Sequence, residues 1–178
     1  VYQVQFGIIR DAVTLMIDTS GNGLHKRGYR RQSNLAPLRE TVAAALIMLS
    51  FWHENRIFAD PFCGSGTIPI EAAMIGKNIA PGISRSFSGE KFSQIDKALW
   101  NRAREEAKDR EFSGRQLEIY ASDIDMDCAA LTKQNAAIAG VGDDIRVKKA
   151  DARDFKPMGE YGVMVCNPPY GERLGDIK

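Results

Sequence analysis

The sequence predicts a doubly wound α/β domain with a mostly parallel central sheet. Short apolar runs alternate with helical patterns after about residue 55, and turn-forming residues separate them. No apolar run is long enough to span a membrane. Strands that alternate with helices form βαβ units with parallel strands. Ligands of such sheets bind beyond the carboxyl ends of the strands, so functional residues are expected in the loops there.

Length and composition indicate one soluble globular domain. The chain has 178 residues, of which 44% are apolar and 26% charged, which argues against disordered, collagenous and disulfide-built proteins. The 24 basic and 23 acidic residues nearly cancel. The widely spaced Cys63, Cys128 and Cys166 favour a reduced, cytoplasmic location. Because His25 and His53 lack ligand-like spacing, we expect no metal site.

The first part of the chain is expected to differ from the rest. Tyr2–Phe6 and Ala12–Ile17 have the pattern of strands and precede a dense turn signal. The connector from Leu24 to Arg39 then carries five basic residues and no acidic one. We therefore assign residues 1–34 to the N-terminal strands and basic connector, and residues 35–178 to the α/β core.

The core pattern contains four strands and four helices. The predicted strands are Arg56–Ala59, Leu117–Ala121, Ile145–Lys149 and Gly162–Cys166. The predicted helices run from Pro37 to about Trp52, Thr67–Ile75, Ser93–Arg110 and Met126–Ala139. A sheet that ended on the apolar fourth strand would expose a pairing edge, so we expect the core to be truncated after that strand.

The segment Asp60–Thr67 joins the first core strand to its helix. Gly64 and Gly66 allow a tight turn and close approach of a ligand, and the helix directs unpaired N–H groups at the same spot. The lysine of a P-loop and the third glycine of a dinucleotide fingerprint are missing. A carboxylate or ribose partner therefore fits better than a pyrophosphate, and Asp60 suits a ligand ammonium. An ordinary glycine-rich turn is the alternative.

Acidic residues follow the next two strands. Asp123 has two carboxylate oxygens that can bridge the vicinal hydroxyls of a ribose. It lies much farther from the glycine loop than the roughly 20 residues usual in nicotinamide-binding proteins. Asp151 can accept a hydrogen bond from an adenine amino group, with the Ala152 N–H as a donor. The alternative is that Asp151 is a plain turn residue.

Asn167-Pro168-Pro169-Tyr170 directly follows the fourth strand. The prolines fix φ and remove donors, which leaves carbonyl groups as acceptors beside the amide oxygen of Asn167. These acceptors can hold the hydrogens of a planar exocyclic amine, while Tyr170 stacks on the attached ring. They would also stabilise positive charge that develops on the nitrogen during methylation.

These motifs resemble a known family. The order Asp60–Thr67, Asp123, Asp151, Asn167–Tyr170 is similar to the class I methyltransferases, Rossmann-like enzymes that use S-adenosylmethionine to modify exocyclic amines of bases. More narrowly, three segments resemble the THUMP-associated RNA methylases, which include the ribosomal RNA guanine-N2 methyltransferases and proteins described as N6-adenine-specific DNA methylases. These segments are Leu24–Arg30, Ala36–Thr41 and Asn167–Gly175.

The resemblance implies S-adenosylmethionine as the cofactor, S-adenosylhomocysteine as the product and no metal. It implies cofactor contacts by Asp60, Pro61, Cys63, Gly64, Gly66, Asp123, Ile124, Asp151 and Ala152. It implies that the target base is held by Asn167, Pro168, Pro169 and Tyr170. Phosphate contacts are expected from Lys26, Arg27, Arg30 and Arg39, whose alternative role is a solvated basic face.

Together with the motifs, the resemblance implies a methyltransferase acting on guanine N2 of 23S ribosomal RNA, with a THUMP-type RNA-binding domain in a longer chain. Three alternatives stay open. Methylation of adenine N6 in DNA or RNA uses the same Asn-Pro-Pro-Tyr chemistry. A nicotinamide-dependent oxidoreductase is disfavoured by the missing third glycine, and a non-catalytic nucleotide- or RNA-binding fragment is the third.

Overall fold

The computed structural model describes residues 2–30, 37–156 and 159–169. Within them, an antiparallel hairpin precedes a four-stranded parallel sheet with packed helices. The strands are β1 (Gln3–Ile9), β2 (Ala12–Asp18), β3 (Ile57–Asp60), β4 (Ile119–Asp123), β5 (Ile145–Lys149) and β6 (Gly162–Met164). The helices are α1 (Glu40–Leu49), α2 (Thr67–Gly76), α3 (Lys97–Asp109) and α4 (Met126–Ile138).

The central sheet has the strand order β5-β4-β3-β6, and all three neighbouring pairs are parallel. The chain therefore moves outward from β3 through β4 to β5 and returns to the other side of β3 to form β6. This reversal confirms the predicted doubly wound α/β class and creates a crevice between β3 and β6, where such folds bind ligands.

The core lies between the sheet and α1, α2 and α4. Phe58 and Ile119 are fully buried in neighbouring strands, and Ile70 of α2 is equally buried. Trp52 packs edge-on against Phe58 with ring centroids 5.3 Å apart. This burial fixes β3 and α2, so the loop between them is held at both ends.

The hairpin turns at Arg10 and Asp11, whose φ angles of 50° and 61° match the left-handed geometry of a tight two-residue turn. Cross-strand pairing places six large apolar side chains on one face, all of them more than half exposed: Val4, Phe6, Ile8, Val13, Leu15 and Ile17. The base of the hairpin is fixed by the Gly89 N–H, which donates to the Thr19 carbonyl (2.9 Å).

Several predicted boundaries differ from the structure. The first helix begins at Glu40 and not at Pro37, while α3 begins at Lys97 because the Asp96 carboxylate caps it by accepting from the Ala98 N–H. Strand β4 begins and ends two residues later than predicted, and β6 is shorter. The predicted boundary between residues 34 and 35 lies outside the described residues.

Among the described residues, no helix is both long and apolar enough to cross a membrane. The three cysteines are not joined in disulfides, and Cys63 is buried.

Candidate active site

A cleft of about 340 Å³ lies at the carboxyl ends of β3, β4 and β6. Three of the predicted strand-end loops line it: the glycine loop after β3, the Asp123 loop after β4 and the Asn167 loop after β6. The sequence-predicted residues in its lining are Asp60, Cys63, Gly64, Asp123, Ile124, Asn167 and Pro169. The lining residues that the sequence analysis did not select as site residues are Pro37, Leu38, Phe62, Ser65, Thr67, Ile68 and Cys128.

The two glycines of the loop after β3 have different structural roles. Gly66 has a φ of 84°, and a Cβ at this position would lie 2.9 Å from the Cγ2 of Thr132. Gly64 also has a positive φ, 53°, but no atom of another described residue lies within 4 Å of the position that a Cβ would occupy. Gly66 therefore permits close packing against α4, whereas Gly64 leaves the cleft open to a ligand.

Two side chains of helix α4 hold the backbone of the glycine loop. The Thr132 hydroxyl donates to the Gly64 carbonyl (2.9 Å), and the Asn135 amide donates to the Ser65 carbonyl (2.9 Å). Both polar side chains are buried. Sequence analysis missed both residues. The available signal was their spacing, since two polar residues three positions apart share a helix face with Ala129 and Ala136.

Asp60 forms a buried acidic floor of the cleft and is only 1% exposed. Its Oδ1 accepts a hydrogen bond from the Phe62 N–H (3.0 Å). Burial raises the pKa of its carboxyl group to about 7; the Phe62 hydrogen bond opposes this rise and the charge of Asp123 adds to it. A ligand cation beside Asp60 would therefore relieve an unfavourable burial of charge.

Asp123 connects the second loop to the first. Its Oδ2 accepts from the Gly64 N–H (2.9 Å) and its Oδ1 from the Asp125 N–H (3.0 Å). Each carboxylate oxygen can accept a second hydrogen bond, so the side chain retains capacity for a vicinal diol. Ile124 beside it lines the cleft with an apolar side chain that is 64% exposed.

Asp151 and Ala152 are not among the described residues that line the cleft. The Asp151 carboxylate accepts from the backbone N–H of Arg153 (2.9 Å) and from its guanidinium (2.6 Å), and these hydrogen bonds lower its pKa to about 2. The loop still meets the same edge of the sheet, since the Ala150 N–H donates to the Asp123 carbonyl (2.9 Å). The predicted adenine contact stays a prediction.

The segment after β6 continues along β3, because the Val165 N–H donates to the Ala59 carbonyl (3.1 Å). Asn167 and Pro169 then face the cleft, whereas Pro168 is exposed and does not line it. Within the described ranges, the Asn167 amide has no hydrogen-bond partner. Tyr170 lies outside the described residues.

Two of the predicted phosphate-binding arginines have partners within the protein. Arg27 pairs with the buried Glu71 (3.3 Å), and Arg30 pairs with Glu40 (3.7 Å). Their side chains are only 11% and 12% exposed. These positions indicate a structural role that sequence analysis did not identify, because both ion pairs form only when the connector packs against α1 and α2.

Lys26 and Arg39 are both exposed, and neither forms an ion pair with another described residue. Pro61 and Gly66 are buried and do not line the cleft. In the part of the chain that the structure describes, no group of three or more His, Cys, Asp and Glu residues is placed to bind a metal.

The cleft chemistry fits a nucleoside with an attached amino acid. The open space at Gly64 is a cradle that a Cβ would fill, the buried Asp60 carboxylate matches an ammonium or sulfonium group, and Asp123 matches a ribose diol. Ile124 offers an apolar support to an aromatic ring. S-adenosylmethionine combines these groups in one molecule.

Two curated proteins are similar in sequence to nearly the whole of this chain. A Bacillus subtilis protein named "Putative RNA methyltransferase YpsC" is 50% identical over 99% of this chain, which spans 46% of that protein. A Shewanella amazonensis ribosomal RNA large subunit methyltransferase K/L is 46% identical over 94% of the chain, which spans 24% of that relative. The chain thus spans half or less of the length of these relatives.

Two solved structures are also similar to this chain over nearly its whole length. A Listeria monocytogenes protein described as a predicted N6-adenine-specific DNA methylase has 52% identity and a TM-score of 0.94; the match covers 99% of this chain and 46% of that one. SMU.472, solved in complex with SAH, has 43% identity and a TM-score of 0.91, with the same coverage. The model of the RMKL-like methyltransferase domain, UPF0020, matches residues 27–178, and the chain belongs to this family.

Proposed function

We propose that this chain transfers a methyl group from S-adenosylmethionine to an exocyclic amine of an RNA base, most specifically guanine N2 of 23S ribosomal RNA. The observation that carries the proposal is one cleft in which Asp60, Gly64 and Asp123 meet Asn167, whose amide has no hydrogen-bond partner among the described residues. The name of the Shewanella relative supports ribosomal RNA as the substrate class.

In this proposal, the cofactor supplies an activated methyl group when bound. Asp60 and Gly64 hold the methionine end, while Asp123 holds the ribose and Ile124 supports the adenine. Asp151 and Ala152 are proposed to contact the adenine edge from the loop after β5. No metal takes part in the proposed reaction, because the sulfonium group already activates the methyl group for direct displacement by the amine.

The residues after β6 position the target amine. The Asn167 Oδ1 and the Pro168 carbonyl accept the hydrogens of the amine, which directs its nitrogen lone pair toward the methyl group. These acceptors also stabilise the positive charge that develops on the nitrogen. The new N–CH3 bond replaces the S–CH3 bond of the sulfonium, whose bonding electrons stay on sulfur, and the methylated amine then releases one proton to water. Tyr170 is proposed to stack on the base, which must leave its helical stack to reach the cleft. Most of the rate enhancement then comes from proximity and orientation.

Residues 35–178 form the proposed catalytic core, and residues 1–34 the proposed N-terminal strands and connector. We also propose that the longer protein carries a THUMP-type RNA-binding domain and acts in the cytoplasm. Lys26 and Arg39 remain candidates for phosphate contact, whereas Arg27 and Arg30 serve mainly to join the connector to α2 and α1.

Methylation of adenine N6 is the second candidate, supported by the description of the Listeria neighbour. The acceptors at Asn167 and Pro168 suit either amine. Nucleoside mass spectrometry of the methylated RNA separates the two, since one product is N2-methylguanosine and the other N6-methyladenosine.

The proposal is tested by following labelled methyl transfer from S-adenosylmethionine to RNA. Asn167→Ala should lower the transfer rate by about a hundredfold or more, while S-adenosylhomocysteine binding measured by calorimetry stays unchanged. Asn101→Ala, at an exposed position of α3, is the matched control and should behave as the wild type. Wild-type transfer by the Asn167→Ala protein would refute the assignment.

A further inference from the structure

A second cleft, which we call the basic cleft, lies beside the candidate active site. Its volume is about 540 Å³, and its lining includes Lys26, Arg30, Glu40, Ser84, Arg85 and Ser86. The connector before α1 supplies Lys26 and Arg30, while the loop after α2 supplies the two serines and Arg85. The cleft thus joins segments that are about sixty residues apart in sequence.

The charges of this cleft do not cancel. Glu40 is its one acidic described residue, and it already pairs with Arg30. Arg85 donates to the backbone carbonyls of Gly23 (3.0 Å), Ser20 (3.2 Å) and Asn22, and it forms no ion pair with a described carboxylate. Its guanidinium also lies over the Phe87 ring, 4.9 Å from the ring centroid. Carbonyl groups and an aromatic ring carry no net charge, so no described anion neutralises Arg85.

Further donors surround this uncompensated charge. Lys26 is exposed and has no acidic partner among the described residues. Ser84 and Ser86 are also exposed and line the same cleft. The Nε of Arg85 is buried and lacks a hydrogen-bond partner within the described part of the chain. Cations combined with hydroxyl donors and almost no acid are the composition of an anion site.

The basic cleft shares a wall with the active site. The Arg30 guanidinium lines the basic cleft, yet it donates to the Thr67 hydroxyl and to the Leu38 carbonyl (3.1 Å). Thr67 and Leu38 both line the cofactor cleft. Arg30, Leu38 and Thr67 would therefore separate an anion in the basic cleft from the cofactor cleft.

We infer that the basic cleft binds a backbone phosphate of the RNA substrate next to the nucleotide that enters the active site. This inference rests on the proposed function, because it takes the ligand of the second cleft to be part of the same RNA. Lys26 supplies an exposed cation and Arg85 a cation held by backbone carbonyls, while Ser84 and Ser86 donate hydrogen bonds. Arg27 and Arg39, predicted from sequence as phosphate ligands, do not line this cleft.

The test measures binding of a fluorescein-labelled single-stranded RNA by anisotropy across a salt series. Lys26→Ala removes one cation, and Ser86→Glu places an anion at an exposed position of the cleft. Lys133→Glu, at an exposed position of α4, is the charge-changing control on another element. Binding of S-adenosylhomocysteine is measured for every variant, which reports on folding and on the cofactor site independently of RNA.

Lys26→Ala should weaken RNA binding and reduce the slope of log affinity against log salt by about 0.7, the value expected when the protein neutralises one phosphate fewer on a single strand. Ser86→Glu should weaken binding further, whereas Lys133→Glu should leave the slope unchanged. Unchanged affinity and slope in both cleft variants, or wild-type protein that binds no RNA at low salt, would overturn the inference. The proposed methyl transfer is judged separately by Asn167→Ala.

Discussion

Replacing Asp60 with asparagine is expected to stabilise the fold and weaken cofactor binding at the same time. Burial raises the pKa of Asp60 from 3.8 to about 7, a difference that corresponds to about 4 kcal/mol for holding the carboxylate ionised. Asparagine keeps an oxygen that can accept the Phe62 N–H but carries no charge. The gain in unfolding free energy at pH 8 should therefore reach at most about 4 kcal/mol.

The sign of the pH dependence follows from the raised pKa. Between about pH 4 and pH 7, the folded protein holds a proton at Asp60 that the unfolded chain releases, so this group makes the wild type less stable as the pH rises. Above about pH 7 its contribution is constant. The Asp60→Asn protein lacks this contribution, and urea unfolding of both proteins across the range measures the difference.

The affinity for S-adenosylhomocysteine should instead rise with pH over this range. If the ammonium of S-adenosylhomocysteine faces Asp60, binding requires the ionised carboxylate, so affinity rises about tenfold per pH unit up to about pH 7 and is then level. The nearby thiol of Cys63 does not titrate in this range, since burial raises its pKa to about 12. Asp60→Asn should bind more weakly at pH 8 and show no such rise.

Calorimetry in buffers of different ionisation enthalpy measures both the affinity and the proton released on binding. A wild-type affinity that is independent of pH below pH 7 would refute the assignment of a cation to Asp60. An asparagine variant that keeps the wild-type pH profile would do the same, because the titrating group would then lie elsewhere.

Three further substitutions separate structural from ligand-binding roles. Gly66→Ala should lower the free energy of unfolding by more than the roughly 1–2 kcal/mol that a left-handed backbone conformation costs, because its Cβ would lie 2.9 Å from Thr132. Urea unfolding measures this loss. The Cβ of Gly64→Ala meets no atom of the described part of the chain, so this variant should lose less stability but bind S-adenosylhomocysteine more weakly by calorimetry. Equal stability losses in the two variants would contradict the roles given to these glycines. Arg27→Ala should cost about 3–5 kcal/mol in urea unfolding, since it leaves Glu71 buried without its cation, and a loss under about 1 kcal/mol would argue against that structural role.

The sheet could be predicted because its signals are local. Apolar runs bounded by turn residues identified the strands, and the motifs after them placed Asp60, Gly64, Asp123 and Asn167 at one edge of the sheet, where the structure brings them into one cleft. Parallel strands make this inference possible, because all their carboxyl ends meet at that edge.

Features that depend on distant partners could not be predicted in this way. Pro37 has the signal of a first helical residue, yet it lies before α1 and lines the cleft. Arg27 and Arg30 have the pattern of a basic surface, but Glu71 and Glu40 neutralise them after folding. Arg85 gave no signal in the sequence, because only the folded chain shows that its described partners are carbonyl groups and the Phe87 ring and not a carboxylate.

The most direct test of the account is the structure of this chain with S-adenosylhomocysteine bound. The account predicts that the ribose hydroxyls contact the Asp123 carboxylate, the amino group lies beside Asp60, and the sulfur faces Asn167. A nucleoside bound outside the cleft between β3, β4 and β6, or one whose ribose points away from Asp123, would contradict it.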